Sequence, residues 1–146
     1  MSFDLDALMG LWSAPLPDSD EDAAERVREL YTDPVTVNGT ELSALDLVAR
    51  ARAVQGTFDK AEHEVLDVID AGDKVAVAFR MRGRQVGPLS TTLGALPPTG
   101  ERLAVRTIDL LTLTDGRVSN IWMVADELGT LVSLDAVSWR GNGPPG

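Results

Sequence analysis

The chain has 146 residues, no cysteine, and a formal net charge of −10 from 13 basic and 23 acidic side chains. That length suits one domain with a sizeable core, expected over 1–140 with a flexible tail at 141–146. The missing cysteines exclude a disulfide framework, a thiolate nucleophile and a Cys-based metal site, and the acidic surface argues against nucleic acid or anionic lipid as a partner.

No apolar run approaches the ~20 residues of a membrane helix. The opening MSFDLDALMG lacks the basic and long apolar regions of a signal peptide, so a cytoplasmic location is expected. Leu5, Leu8, Met9 and Trp12 follow helical spacing, and Pro15 and Pro17 end that helix. Ser19 with Asp22 reads as a capping box for a second helix carrying Ala24, Val27, Leu30 and Tyr31 inward. The acidic run Asp18, Asp20, Glu21, Asp22 and Glu25 is a solvated helix start that suits the helix dipole. Asp33-Pro34 stops the helix. Val35 to Val37 is a short strand, and Asn38-Gly39 is a turn. Ser43 with Asp46 caps a third helix lined by Ala44, Leu47, Val48, Ala51 and Val54, with Gly56 at its end.

The remainder is strand-like. Glu64 to Asp70 precedes a turn at Ala71-Gly72-Asp73. Lys74 to Arg82 alternates Val75, Val77, Phe79 and Met81 with Ala76, Ala78, Arg80 and Arg82. Residues 83–100 hold four glycines and three prolines and read as loop. Leu103 to Leu113 and Val118 to Ala125 are long strands joined by Asp115-Gly116. Helices followed by an antiparallel meander predict an α+β fold, a curved sheet closing over about three helices as a cone with an apolar cavity.

Asp126 is the first candidate for chemistry. Strict alternation places Asn120, Trp122, Val124 and Asp126 on one face. If that face lines the cavity, burial raises the carboxyl pKa and equips it for proton transfer. The alternative is that Asp126 simply caps the apolar segment after it. Asp109 is the other acid inside a strand, flanked by Ile108, Leu110 and Leu111. Its face is ambiguous, and a cross-strand pair with Arg80 or Arg106 is the expected role. Asp109, Asp126 and an arginine together would suit an epoxide hydrolase or epoxide-opening cyclase. His63 is the single histidine, so a multi-His metal site is excluded and a surface position is expected. No GxSxG, Walker or GxGxxG motif occurs. Trp12 is expected in the core, and Tyr31 offers a hydroxyl at the inner end of its helix.

The chain resembles the SnoaL-like polyketide cyclase family, a branch of the nuclear transport factor 2-like (ketosteroid isomerase-like) cone fold. The resemblance is carried by Asp70 to Phe79, Arg82-Gly83 with Gly87-Pro88, and Pro97 to Arg102. It continues through Ile108-Asp109, Asp115 to Val118, Trp122 to Asp126 and Leu128-Gly129, and more loosely through Tyr31 to Gly39. It implies a homodimer through the outer sheet face. It also implies that the aspartate matching Asp126 is the acid/base of an intramolecular aldol closure on a hydrophobic, polyketide-like small molecule, without cofactor or metal. Trp122, Gln85, Tyr31, Thr112 and Arg80 are the expected substrate contacts, with Gln85 and Thr112 standing where the family commonly carries histidine. A binding or assembly module with a filled cavity is the non-enzymatic alternative.

Overall fold

Of the 146 residues, the structure, a computed structural model, describes residues 3–140. The expected tail at 141–146 lies outside the described residues. Two helices lead the chain, α1 (Leu5–Ser13) and α2 (Asp20–Leu30). A hairpin of β1 (Tyr31–Val37) and β2 (Thr40–Leu42) follows, then α3 (Ala44–Thr57). The long strands β3 (Phe58–Asp70) and β4 (Lys74–Gln85) come next, followed by a small hairpin of β5 (Leu89–Thr91) and β6 (Gly94–Leu96). The chain closes with β7 (Arg102–Thr114), β8 (Arg117–Ala125) and α4 (Glu127–Ser133).

The helix starts follow local hydrogen-bond chemistry. Asp22 N–H donates to Ser19 Oγ at 3.3 Å. At Ser43 the box is reciprocal: Asp46 N–H donates to Ser43 Oγ at 3.1 Å, and Ser43 N–H donates to Asp46 Oδ2 at 2.9 Å. Both Asx-Gly turns adopt the left-handed backbone a tight hairpin needs, with φ of 50° and 86° at Asn38-Gly39 and 53° and 79° at Asp115-Gly116.

The strands form one sheet in the order β2-β1-β8-β7-β4-β3. All neighbours run antiparallel except β1 and β8, which are parallel, so the sheet is mixed. One face packs on the helices. Val75 and Val77 of β4, Leu111 of β7 and Val118 and Ile121 of β8 are buried there against Leu8, Ala23, Val27, Leu47 and Val48. Each such side chain, fully buried, contributes roughly 1.5–3 kcal/mol. The opposite face carries Ala76, Ala78, Arg80 and Arg82, as the alternation predicts.

Three elements depart from the expected boundaries. Tyr31 begins a strand instead of ending a helix, because β8 offers it a parallel partner at Val118. The third strand starts at Phe58, pairing with Gln85, and so begins before the Glu64 expected as its start. The 83–100 segment contains the β5–β6 hairpin. Gly87 sits here for steric reasons: a Cβ would collide with the Gly56 carbonyl oxygen. That closeness lets Val86 and Gly87 N–H both donate to Thr57 O, at 2.8 and 3.2 Å. Among the described residues no helix is long and apolar enough to cross a membrane.

Candidate functional site

Register settles which way Asp109 points. It stands opposite Val77 on one side and Met123 on the other, so it belongs to the helix-facing surface of the sheet. The residue is 8% exposed. Its Oδ1 is buried and has no hydrogen-bond partner among the described residues. Burial alone pushes its pKa from 3.8 up to about 7, because the ionised form loses hydration and gains no compensating charge. A buried, unsatisfied carboxyl oxygen costs stability and calls for an explanation.

Tyr31 is buried in the same core. Its hydroxyl accepts a hydrogen bond from Trp12 Nε1–H at 2.8 Å. Burial raises its pKa, the Trp12 hydrogen bond opposes this, and the Asp109 charge adds to the rise. Tyr31 therefore stays protonated. With Trp12 as donor, its own phenolic hydrogen remains available. Trp12 is more than core filler, since it orients this hydroxyl. The signal was present in the sequence: an indole N–H set against the core needs an acceptor, and the single tyrosine is an obvious one.

Asp126 lies elsewhere. Trp122 and Val124 do share a face, opposite Leu110 and Ile108, but it is the face turned away from the helices. Trp122 is 55% exposed and Val124 75%. The expectation that they line the cavity is corrected. Both faces of β8 are apolar, and Ile121, not Trp122, took the interior. Asp126 is the N-cap of α4, accepting from Gly129 N–H at 2.9 Å through Oδ1. Its Oδ2 meets Arg106 Nη2 at 3.3 Å, and the side chain is 42% exposed. The dry surroundings expected of it are found around Asp109 instead.

The expected pairing of Asp109 with Arg80 or Arg106 is also corrected, because both arginines occupy the opposite face. Arg80 approaches Glu64 at 4.0 Å. The epoxide reading needed an arginine beside Asp109 and loses it here. Thr112 shares the outer face and accepts from Lys74 Nζ at 2.7 Å. Gln85 is fully buried and pins the 87–99 loop. Its Nε2 donates to the carbonyls of Gly87, Leu96 and Pro97 at 3.1, 3.3 and 3.2 Å. Its Oε1 accepts from Thr99 N–H and Oγ1–H at 3.3 and 2.8 Å. That leaves no group of Gln85 for a ligand. His63 is half-buried on the helix side, with Nδ1 2.8 Å from Ser13 Oγ, and is not the surface residue expected. Among the described residues no cluster of three or more His, Cys, Asp or Glu is arranged to hold a metal.

The candidate groups are Asp109 on the inner face of the sheet, with Thr107 and Val77 on neighbouring ladder positions, and Tyr31 with Trp12 of α1 against it. They are packed in the core, and the two cavities at the surface are lined by other residues. A profile of SnoaL-like polyketide cyclases matches residues 13–134. The chain belongs to this SnoaL-like family. Among solved structures of the fold, TsrD from Streptomyces laurentii is 25% identical with a TM-score of 0.69, the match covering 93% of this chain and all (100%) of that one. A proposed SnoaL-like polyketide cyclase from Jannaschia sp. CCS1 is 25% identical at a TM-score of 0.65, covering 91% and 92%. AclR from Streptomyces galilaeus, described as a proposed hydroxylase, is 22% identical at 0.65, covering 90% and 95%, and shows the fold alone. No curated protein sequence matches the chain.

Proposed function

We propose that this SnoaL-like protein is a cyclase or isomerase that carries out acid/base chemistry on a hydrophobic small molecule, with Asp109 as the proton-transfer group. The observation that carries this reading is the buried Oδ1 of Asp109, which has no hydrogen-bond partner among the described residues; burial raises the pKa of that carboxyl to about 7. A carboxyl group so placed is divided between its acid and base forms at neutral pH, where proton transfer in both directions is efficient.

For an intramolecular aldol closure the steps balance as follows. The Asp109 carboxylate removes a proton from a methylene activated by neighbouring carbonyls. The enolate carbon forms the new C–C bond to a second carbonyl carbon, and that carbonyl's π electrons move to its oxygen. Protonated Asp109 then returns its proton to that oxygen. Tyr31 O–H, held by Trp12, donates to the oxygen carrying the enolate charge. Because the substrate delocalises its own charge, these side chains suffice. Asp126 is assigned to capping α4 and not to chemistry.

The test is turnover of a poly-β-ketone ester by the wild type and by Asp109→Asn. Loss of turnover with retained folding supports the reading. Equal turnover by both would leave a binding or assembly role.

The outer face supports a second proposal, the homodimer. Ile108, Leu110, Trp122 and Val124 form an exposed apolar stripe on adjacent strands β7 and β8. Monomers rarely expose so continuous an apolar patch. The same stripe on a second copy would cover it through a two-fold contact. Trp122→Glu is expected to give a monomer by sedimentation; a wild type that already sediments as a monomer contradicts the proposal.

A further inference from the structure

A groove of about 710 Å³ lies on the outer face, between α4 and the starting half of β7 with its partner β4. Its walls carry Arg80, Arg82, Arg102 and Arg106, against two lining carboxylates, Glu62 and Asp126. This concentration of guanidinium groups occurs in a chain of net charge −10.

The ladder register makes the concentration costly. Arg80 stands directly opposite Arg106, and Arg84 directly opposite Arg102. Like charges opposed across a strand pair repel. The nearby carboxylates relieve this only in part. Arg82 is within 3.4 Å of Glu62 and 3.2 Å of Glu64. Arg84 is 3.1 Å from Asp59. Asp126 divides itself between Arg106 and the Gly129 amide. Arg102 has no carboxylate within ion-pair distance among the described residues. The α4 hydroxyls on the wall are already committed as donors, Thr130 to Ala104 O at 2.8 Å and Ser133 to Thr130 O at 2.7 Å.

We propose that this groove binds a compact, multiply charged organic oxyanion, a phosphate ester or a polycarboxylate, held by Arg102 and Arg106 with Arg80 behind them. Guanidinium forks match such groups two bonds at a time. Compactness follows from the rest of the surface. Long polyanions and anionic membranes would meet the acidic remainder of the chain, whereas a small anion meets only the arginines. The site is on the opposite face of the sheet from Asp109, so it stands or falls separately from the proposed chemistry.

The experiment is calorimetric titration of the full chain with pyrophosphate and, in a second arm, citrate. Sodium chloride at matched ionic strength is the control. Saturable one-to-one binding by the wild type is expected. It should be at least about tenfold weaker in Arg102→Gln and lost in Arg102→Gln/Arg106→Gln. Asp109→Asn should bind as the wild type does. Arg102→Gln removes one opposed charge and touches no ion pair, so its unliganded melting temperature should equal or exceed that of the wild type; this keeps the test sound even if the double variant is unstable. Heat reproduced by sodium chloride, equal affinity in Arg102→Gln, or tighter association with anionic vesicles or RNA than with either small anion would overturn the proposal.

Discussion

Asp109 and Asp126 sit on neighbouring stretches of the same β7–β8–α4 unit, yet they occupy opposite physical worlds. Asp109 faces the helices, is buried, and has an oxygen with no partner among the described residues. Asp126 faces solvent, caps a helix and meets an arginine. A carboxylate with hydrogen-bond donors and water around it is a structural anion. The same group without them is less stable as an anion and keeps its proton to higher pH. Residue type and sequence motif do not separate these two environments, and the register of one hairpin does.

The largest expected effect tests that separation directly. Asp109→Asn should lower kcat by roughly 10²–10⁴-fold, the usual yield of a positioned acid or base, in a turnover assay. Its melting temperature should not fall, because the substitution removes an uncompensated buried charge.

Stability against pH should sharpen the contrast. The folded-state pKa of Asp109 is raised from 3.8 to about 7. Between those values the folded protein holds a proton that the unfolded chain releases. Asp109 therefore costs nothing below the unfolded value, and stability is lost progressively as pH rises through the folded value, by a few kcal/mol in order of magnitude. Denaturant unfolding of wild type and Asp109→Asn from pH 4 to 8 should show the two curves diverging as pH rises. Parallel curves would remove the raised pKa.

Next in size is Gln85→Ala. It strands buried loop carbonyls and should cost about 2–3 kcal/mol in chemical denaturation, marking Gln85 as a loop anchor and not a ligand contact. Asp126→Ala should cost only about 1 kcal/mol, as removal of an N-cap does, and should leave turnover within severalfold of wild type. A loss of turnover at Asp126 matching that at Asp109 would reverse the assignment.

The sequence made the scaffold legible where local chemistry decides. The Ser43 box, the two Asx-Gly turns and the β4 alternation all stand as expected, because each depends on residues within a few positions of one another. Tyr31 continues the helical spacing of α2 yet pairs as a strand, because its partner, Val118, is remote in the chain. The site was harder for a related reason. On β7 and β8 both alternating sets are apolar, with Leu111 and Ile121 on one side and Leu110 and Trp122 on the other. Periodicity therefore could not say which set faces the helices. The inner set was fixed by packing against α1, α2 and α3. The large indole of Trp122 lies on the exposed face, and Trp12 on α1 is the tryptophan that orients the Tyr31 hydroxyl near Asp109.

What decides the matter is whether Asp109 holds a proton near neutral pH. The most direct measurement follows the side-chain carboxyl carbon of each aspartate by NMR from pH 3 to 9, with Asp109→Asn used to assign the signal. A midpoint near 7 is expected for Asp109, against an ordinary value of 3.8. A midpoint for Asp109 close to 3.8 would contradict it.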